Sequence, residues 1–155
     1  MRVWFITGAS RGFGALITKE ALAAGDAVVA TARNARDLAT RFGDHPNLLA
    51  AALDVTRQDQ AFAAAEAAVK RFGRIDVLVN NAGYGLLSAV EEASAAEVEG
   101  VFATNVFGLL NVTRAVLPVM RRQRAGHVIN ISSIGGYSAY PGWASMGPPN
   151  SPSKA

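Results

Sequence analysis

Residues 3–14 read Val3-Trp4-Phe5-Ile6-Thr7-Gly8-Ala9-Ser10-Arg11-Gly12-Phe13-Gly14. The run Val3 to Thr7 is short, apolar and closed by glycine, the profile of a strand buried on both faces of a parallel sheet. Phe13 to Ala24 follows as a helix, with Leu16, Ile17, Ala21 and Leu22 on one stripe and Gly25 as its stop. Between strand and helix, Gly8 permits a tight turn. Gly12 lets backbone approach a pyrophosphate, and Gly14 lets helix and sheet pack closely. Free amides at the start of such a helix attract phosphate. The same letters also fit an ordinary glycine-rich turn, so the rest of the chain has to discriminate.

Working outward, the alternation continues. Ala27 to Ala32, Leu48 to Leu53, Ile75 to Val79 and His127 to Ser132 read as strands. Ala35 to Phe42 and Gln58 to Phe72 read as helices, the latter with Phe62, Ala65 and Val69 inward. A long helix is expected from Ala95 to about Val119, with Val98, Val101, Phe102, Asn105, Val106, Leu109, Val112, Val116 and Leu117 inward and Pro118 disturbing its last turn. Arg121, Arg122 and Arg124 suit the negative end of its dipole. Strands alternating with helices predict a doubly wound parallel α/β sheet. Gly135 to Ala155 changes character, holding four of the six prolines and no period.

Composition narrows the class. The 155 residues include 15 Lys or Arg, 12 Asp or Glu, 50% hydrophobic residues and no cysteine, with a net charge of +3. That is one domain with a real core rather than a disordered chain. Scattered basic residues do not make a nucleic-acid face. Without cysteine there is no disulfide scaffold, thiolate metal site or cysteine nucleophile. His45 and His127 stand alone, and no metal site is expected. No uninterrupted apolar run approaches the roughly 20 residues that cross a bilayer, and MRVWFITGAS lacks the layout of an export signal. A cytoplasmic protein with no membrane partner is the expectation.

Several further positions bear on chemistry. Asp54-Val55 follows the third strand, Asn80-Asn81-Ala82-Gly83 follows the fourth, Asn105 interrupts an apolar helix face, and Asn130-Ile131-Ser132-Ser133 ends the fifth. Together with Thr7-Gly8-Ala9-Ser10-Arg11-Gly12-Phe13-Gly14, their order resembles the short-chain dehydrogenase/reductase family across residues 1 to about 143. The resemblance implies a Rossmann-like domain binding NAD(P) through Gly8, Ser10, Arg11, Gly12, Phe13, Gly14, Asp54, Val55, Asn81, Ala82 and Gly83. It implies Asn105 in a proton relay, Ser133 polarising the substrate oxygen and a small alcohol or carbonyl substrate, commonly in a homo-oligomer. Ordinary readings stand beside these: Asp54 as a turn residue leading a helix, Asn80 and Asn81 as loop caps. Where NAD sites commonly place an acid after the second strand, this chain has Ala32 and then Arg33. Arg11 and Arg33 can grip a 2′-phosphate, which favours NADP over NAD; alternatively both are solvated surface residues.

The resemblance breaks near residue 144. The family's carbonyl chemistry uses a Tyr and a Lys four residues apart, on one helix face. The usual spacing from Ser133 puts Met146 and Asn150 there, and neither titrates usefully. Aligning the terminal Ser153-Lys154-Ala155 instead recovers Lys154, for the nicotinamide ribose, but leaves Asn150 in place of the phenol. Tyr137 and Tyr140 have no Lys four residues on. The expected organisation is therefore an incomplete nucleotide-binding domain over 1–143 and a Pro-rich tail over 144–155. The family domain runs to roughly 250 residues, so the sheet is expected to stop after its fifth strand and to leave apolar faces of that strand and of the Asn105 helix uncovered. Three functions follow: an NADP-dependent oxidoreductase, an inactive truncated or frame-disrupted fragment retaining at most nucleotide binding, or an interaction module using the uncovered face.

Overall fold

The computed structural model describes residues 1–133. Elements run β1 (Val3–Ile6), α1 (Gly12–Ala23), β2 (Ala27–Ala32), α2 (Ala35–Phe42), β3 (Leu48–Ala52), α3 (Gln58–Phe72), β4 (Val77–Asn80), α4 (Ala95–Phe102), a π-helical segment (Ala103–Gly108), α5 (Leu109–Gln123) and β5 (His127–Asn130). The strands form one sheet in the order β3-β2-β1-β4-β5, every pair parallel. This is the expected doubly wound α/β architecture. The order in which the chain adds strands reverses between β1 and β4, the switch point where open α/β sheets leave a crevice beyond their carboxyl ends.

The period of two along each strand divides the core into two layers. Val3, Phe5, Val29 and Leu78 face a layer shared with Ala61, Ala65, Val112 and Val116 of α3 and α5. Ile6, Val28, Ala30, Val77 and Val79 face the opposite layer, with Ala21 and Leu38 of α1 and α2. All six residues of β2 are buried, as a strand covered on both faces must be.

Helix orientation departs from the apolar stripes. On α1 the buried residues are Gly14, Ala15, Thr18 and Ala21, while Leu16 is 59% exposed. On α3 they are Ala61, Ala64, Ala65 and Ala68, and Phe62 turns outward. Small side chains let both helices approach their neighbours closely, and close approach decides the inner face here. The long helix also differs: the π segment inserts an extra residue into the turn, so the stripe changes phase and Val106 and Leu117 are exposed. Pro118 sits inside α5 without ending it, and the helix runs on to Gln123 with Arg121 and Arg122 in its last turn and Arg124 as a left-handed cap.

The helical stretch Ala95–Gln123 is long and apolar enough, at a hydropathy of 1.3, to cross a bilayer by length and composition. Its inner residues Val112, Ala115, Val116, Val119 and Met120 are buried in the core against the sheet and α3. β5 behaves differently. All four of its residues are exposed, and Val128, Ile129 and Ile131 each show about two fifths of their surface.

Candidate active site

At the switch point the β1 turn and the β4 turn are interlocked. Thr7 Oγ accepts hydrogen bonds from the backbone N–H groups of Asn81 and Ala82, both at 2.9 Å. Asn81 Nδ2 donates to the carbonyls of Thr7 (2.9 Å) and Gly8 (3.1 Å). Gly8 has φ +65°, and a Cβ there would stand 3.0 Å from Ala82 Cα. A Cβ on Gly14 would lie 2.5 Å from both Asn81 Nδ2 and the Gly8 carbonyl oxygen. Gly12 also has a positive φ, +55°, but nothing lies within 4 Å of its missing side chain. Two glycines are thus required by contact with the protein, and the third presents bare backbone to open space.

The helix after this turn is prepared for an anion. Its N-cap, Arg11, gives no side-chain cap, and its first turn has no acid. By contrast Asn34 caps α2, and Ser94 with Glu97 forms a full capping box on α4. Uncapped first-turn amides carry partial positive charge and lack partners. Phe13 stands 71% exposed beside them. These residues fit the pyrophosphate of a dinucleotide.

Further along the crevice, Asp54 accepts from Thr56 Oγ (2.7 Å) and Thr56 N (3.0 Å). The Thr56 hydroxyl, opposed by burial and aided by the Thr56 amide and the charges of Arg33 and Arg57, holds its carboxyl below the usual range. Val55 is buried, and its carbonyl accepts from Asn111 Nδ2 at 3.1 Å. Asn80 Nδ2 donates to Thr113 Oγ (3.1 Å) and Asn130 Oδ1 (2.9 Å), tying β4 to α5 and β5.

Asn105 lies in the π segment, facing Gly83. Its Oδ1 accepts from Tyr84 N at 3.1 Å and its Nδ2 donates to the Tyr84 carbonyl at 2.8 Å. The amide therefore has both of its ends paired with backbone and pins the Gly83–Tyr84 loop. Ser133 follows β5 by three residues, on the same carboxyl side of the sheet as the glycine turn. Lys154, Tyr137, Tyr140, Met146, Asn150 and the boundary at 143/144 lie outside the described residues.

The arginines separate. Arg11 lines an open depression of about 540 Å³ together with Ser10, Asp37, Thr40 and Arg41. Arg33 is exposed and is not part of that lining; its charge is one of the lesser influences that lower Asp54. The sequence reading gives Thr7, Tyr84, Asn111 and Arg41 no role. For Arg41 a signal exists: Asp37, Thr40 and Arg41 stand at helical spacing on one face of α2.

Comparison with known proteins agrees with this geometry. A profile of the short chain dehydrogenase family matches residues 2–147. The chain belongs to the short chain dehydrogenase family. It is 42% identical over 144 residues to oxidoreductase BOA17 of Botryotinia fuckeliana, covering 91% of this chain and 52% of that relative. The chain therefore spans about half the length of the curated relative it matches. A short-chain dehydrogenase structure from Streptomyces avermitilis superposes with a TM-score of 0.86 at 42% identity, over 94% of this chain and 54% of that one. A structure of ElxO with NADP bound gives a TM-score of 0.87 at 31% identity, over 94% and 60%. Membership fixes an oxidoreductase family with a nicotinamide-binding fold.

Proposed function

We propose that this protein is an NADP(H)-dependent oxidoreductase that interconverts an alcohol and a carbonyl on a small molecule, in the cytoplasm. The observation carrying the reading is the switch-point crevice. One glycine of the turn offers bare backbone, α1 lacks a side-chain cap, and Arg33 rather than an acid directly follows β2. Gly8, Gly12 and Gly14 shape the turn, Ser10, Arg11 and Phe13 line it, and Asp54-Val55 and Asn81-Ala82-Gly83 border it. Bound there, the nicotinamide would carry the hydride. Arg11 and Arg33 favour the 2′-phosphate of NADP over the bare ribose of NAD. Ser133 donates a hydrogen bond to the substrate oxygen, Asn105 holds the loop beside it and connects to the proton path, and Lys154 contacts the nicotinamide ribose; the phenol that gives or takes the balancing proton in the family is absent from the matching position of this chain. The partners are the small-molecule substrate and, as in the family, further copies of the chain.

A second reading has an observation of its own. Met146 and Asn150 stand where the family's spacing calls for the phenol and the ammonium. Neither supplies a proton near neutral pH. On that reading the 155-residue chain holds the nucleotide without turning over substrate.

The two are separated by measuring NADPH fluorescence on binding and carbonyl reduction across a substrate panel. Turnover abolished by Ser133→Ala establishes the enzyme. NADPH binding with no turnover above background establishes the nucleotide-holding chain. Absence of NADPH binding overturns both.

A further inference from the structure

The depression beside the glycine turn is built from two elements, and only one of them belongs to the turn. Ser10 and Arg11 come from the turn; Asp37, Thr40 and Arg41 come from α2. The α2 residues sit at i, i+3 and i+4 and so project from one face. Leu38 is fully buried in the core layer with Val28 and Ala30 of β2, about 100° around the helix from Asp37, and this fixes the rotation of α2. Arg11 and Arg41 make no ion pair among the described residues. Asp37, the one acid in the lining, already accepts from Asn34 Nδ2 at 2.9 Å.

The lining thus offers two guanidinium groups and two hydroxyls against one carboxylate. A phosphate monoester carries about −1.5 to −2 charge at neutral pH and three strong acceptor oxygens. Planar guanidinium forks match it better than any neutral ligand. Arg33 is exposed and lies outside this lining.

We propose that Arg41, with Ser10, Arg11 and Thr40, seats the 2′-phosphate of the cofactor, and that Arg41 is a specificity-determining residue of this chain. The proposal rests on the NADP reading above. Asp37 sets the limit of that selectivity, because its carboxylate opposes the same phosphate.

The test titrates the 155-residue protein with 2′,5′-ADP and with 5′-AMP, which differ only in the 2′-phosphate. The unmodified chain binds 2′,5′-ADP more tightly. Arg41→Ala lowers that affinity roughly tenfold, the loss of a charge-assisted hydrogen bond, and leaves 5′-AMP unchanged. Asp37→Asn moves 2′,5′-ADP affinity the other way, by about threefold, as expected for removing one screened like charge. If Arg41→Ala changes nothing while Arg11→Ala removes the preference, Arg41 is not part of the seat and the NADP reading stands. If the unmodified chain shows no preference for 2′,5′-ADP, the NADP reading fails and the seat with it.

Discussion

Two ends of the same crevice are built to different standards. Where β1 meets β4, the polar groups of Thr7 and Asn81 are spent on neighbouring backbone, and the space beside Gly8 and Gly14 is filled by the opposite turn. Where β5 ends at Asn130, three residues before Ser133, the strand lies open, and Val128, Ile129 and Ile131 stay about two fifths exposed. The glycine-turn end is held by contacts among residues 1–133. The end beside Ser133 is open among them. Substitutions at the first end should therefore damage fold and binding together, and substitutions at the second should leave the fold nearly untouched.

The harshest break is Gly14→Val. Its Cβ alone would overlap Asn81 Nδ2 and the Gly8 carbonyl. A loss of more than about 3 kcal/mol is expected, at the upper end of overpacking costs. Urea denaturation measures it, and NADPH binding should vanish with it. A result within experimental error of the parent would mean the interlock is loose.

The next effect concerns the far end of the same strands. Asp26 is 6% exposed and accepts from Arg2 N (2.8 Å), Arg2 Nε (3.1 Å) and Trp4 Nε1 (2.9 Å). Burial pushes its carboxyl up, but the Arg2 amide, the Trp4 indole and the Arg2 charge outweigh this and hold it below the usual range. Asp76 is also lowered: burial raises it, and Arg74 with the Val3 amide prevails. A carboxyl depressed in the folded state contributes stability that is complete above the unfolded value of about 3.9 and is lost as pH falls through the folded value. Asp26→Asn should cost roughly 1–3 kcal/mol at neutral pH. The gap from the parent should narrow below about pH 4, read from urea midpoints across pH. A gap that widens in acid would contradict the sign.

The mildest test is a matched pair on equivalent strands. Val29→Thr on β2 buries an unpaired hydroxyl and should cost about 1–2 kcal/mol. Val128→Thr on β5 keeps its hydroxyl in water and should cost roughly 0.5 kcal/mol or less. Equal costs would erase the contrast between the two ends.

What the sequence reveals follows the same division. Buried parallel strands announce themselves as short apolar runs, so β2, α2 and α3 fall within their expected bounds and the other elements within a few residues. The rotation of α1 and α3 announces itself only in part: Ala21 and Ala65 are buried as expected, but Gly14, Thr18, Ala61 and Ala64 also bury, by close approach and not by being the most apolar residues on the helix. The π turn at Asn105 is a backbone event without a composition signal, and it carries Val106 out to solvent. Arg41 escapes because its role depends on α2 lying against the glycine turn. The roles given to Ser133 and Lys154 come from family resemblance, with only the position of Ser133 beyond a strand's carboxyl end to support it locally.

The central claim is that residues 1–133 by themselves furnish a dinucleotide site with a preference for the 2′-phosphate. Parallel fluorescence titrations of the chain with NADPH and NADH test it most directly. The account predicts saturable binding of NADPH at least about tenfold tighter than NADH, a difference of about 1.4 kcal/mol. NADH binding as tightly as NADPH, or neither binding to a folded chain, would contradict it.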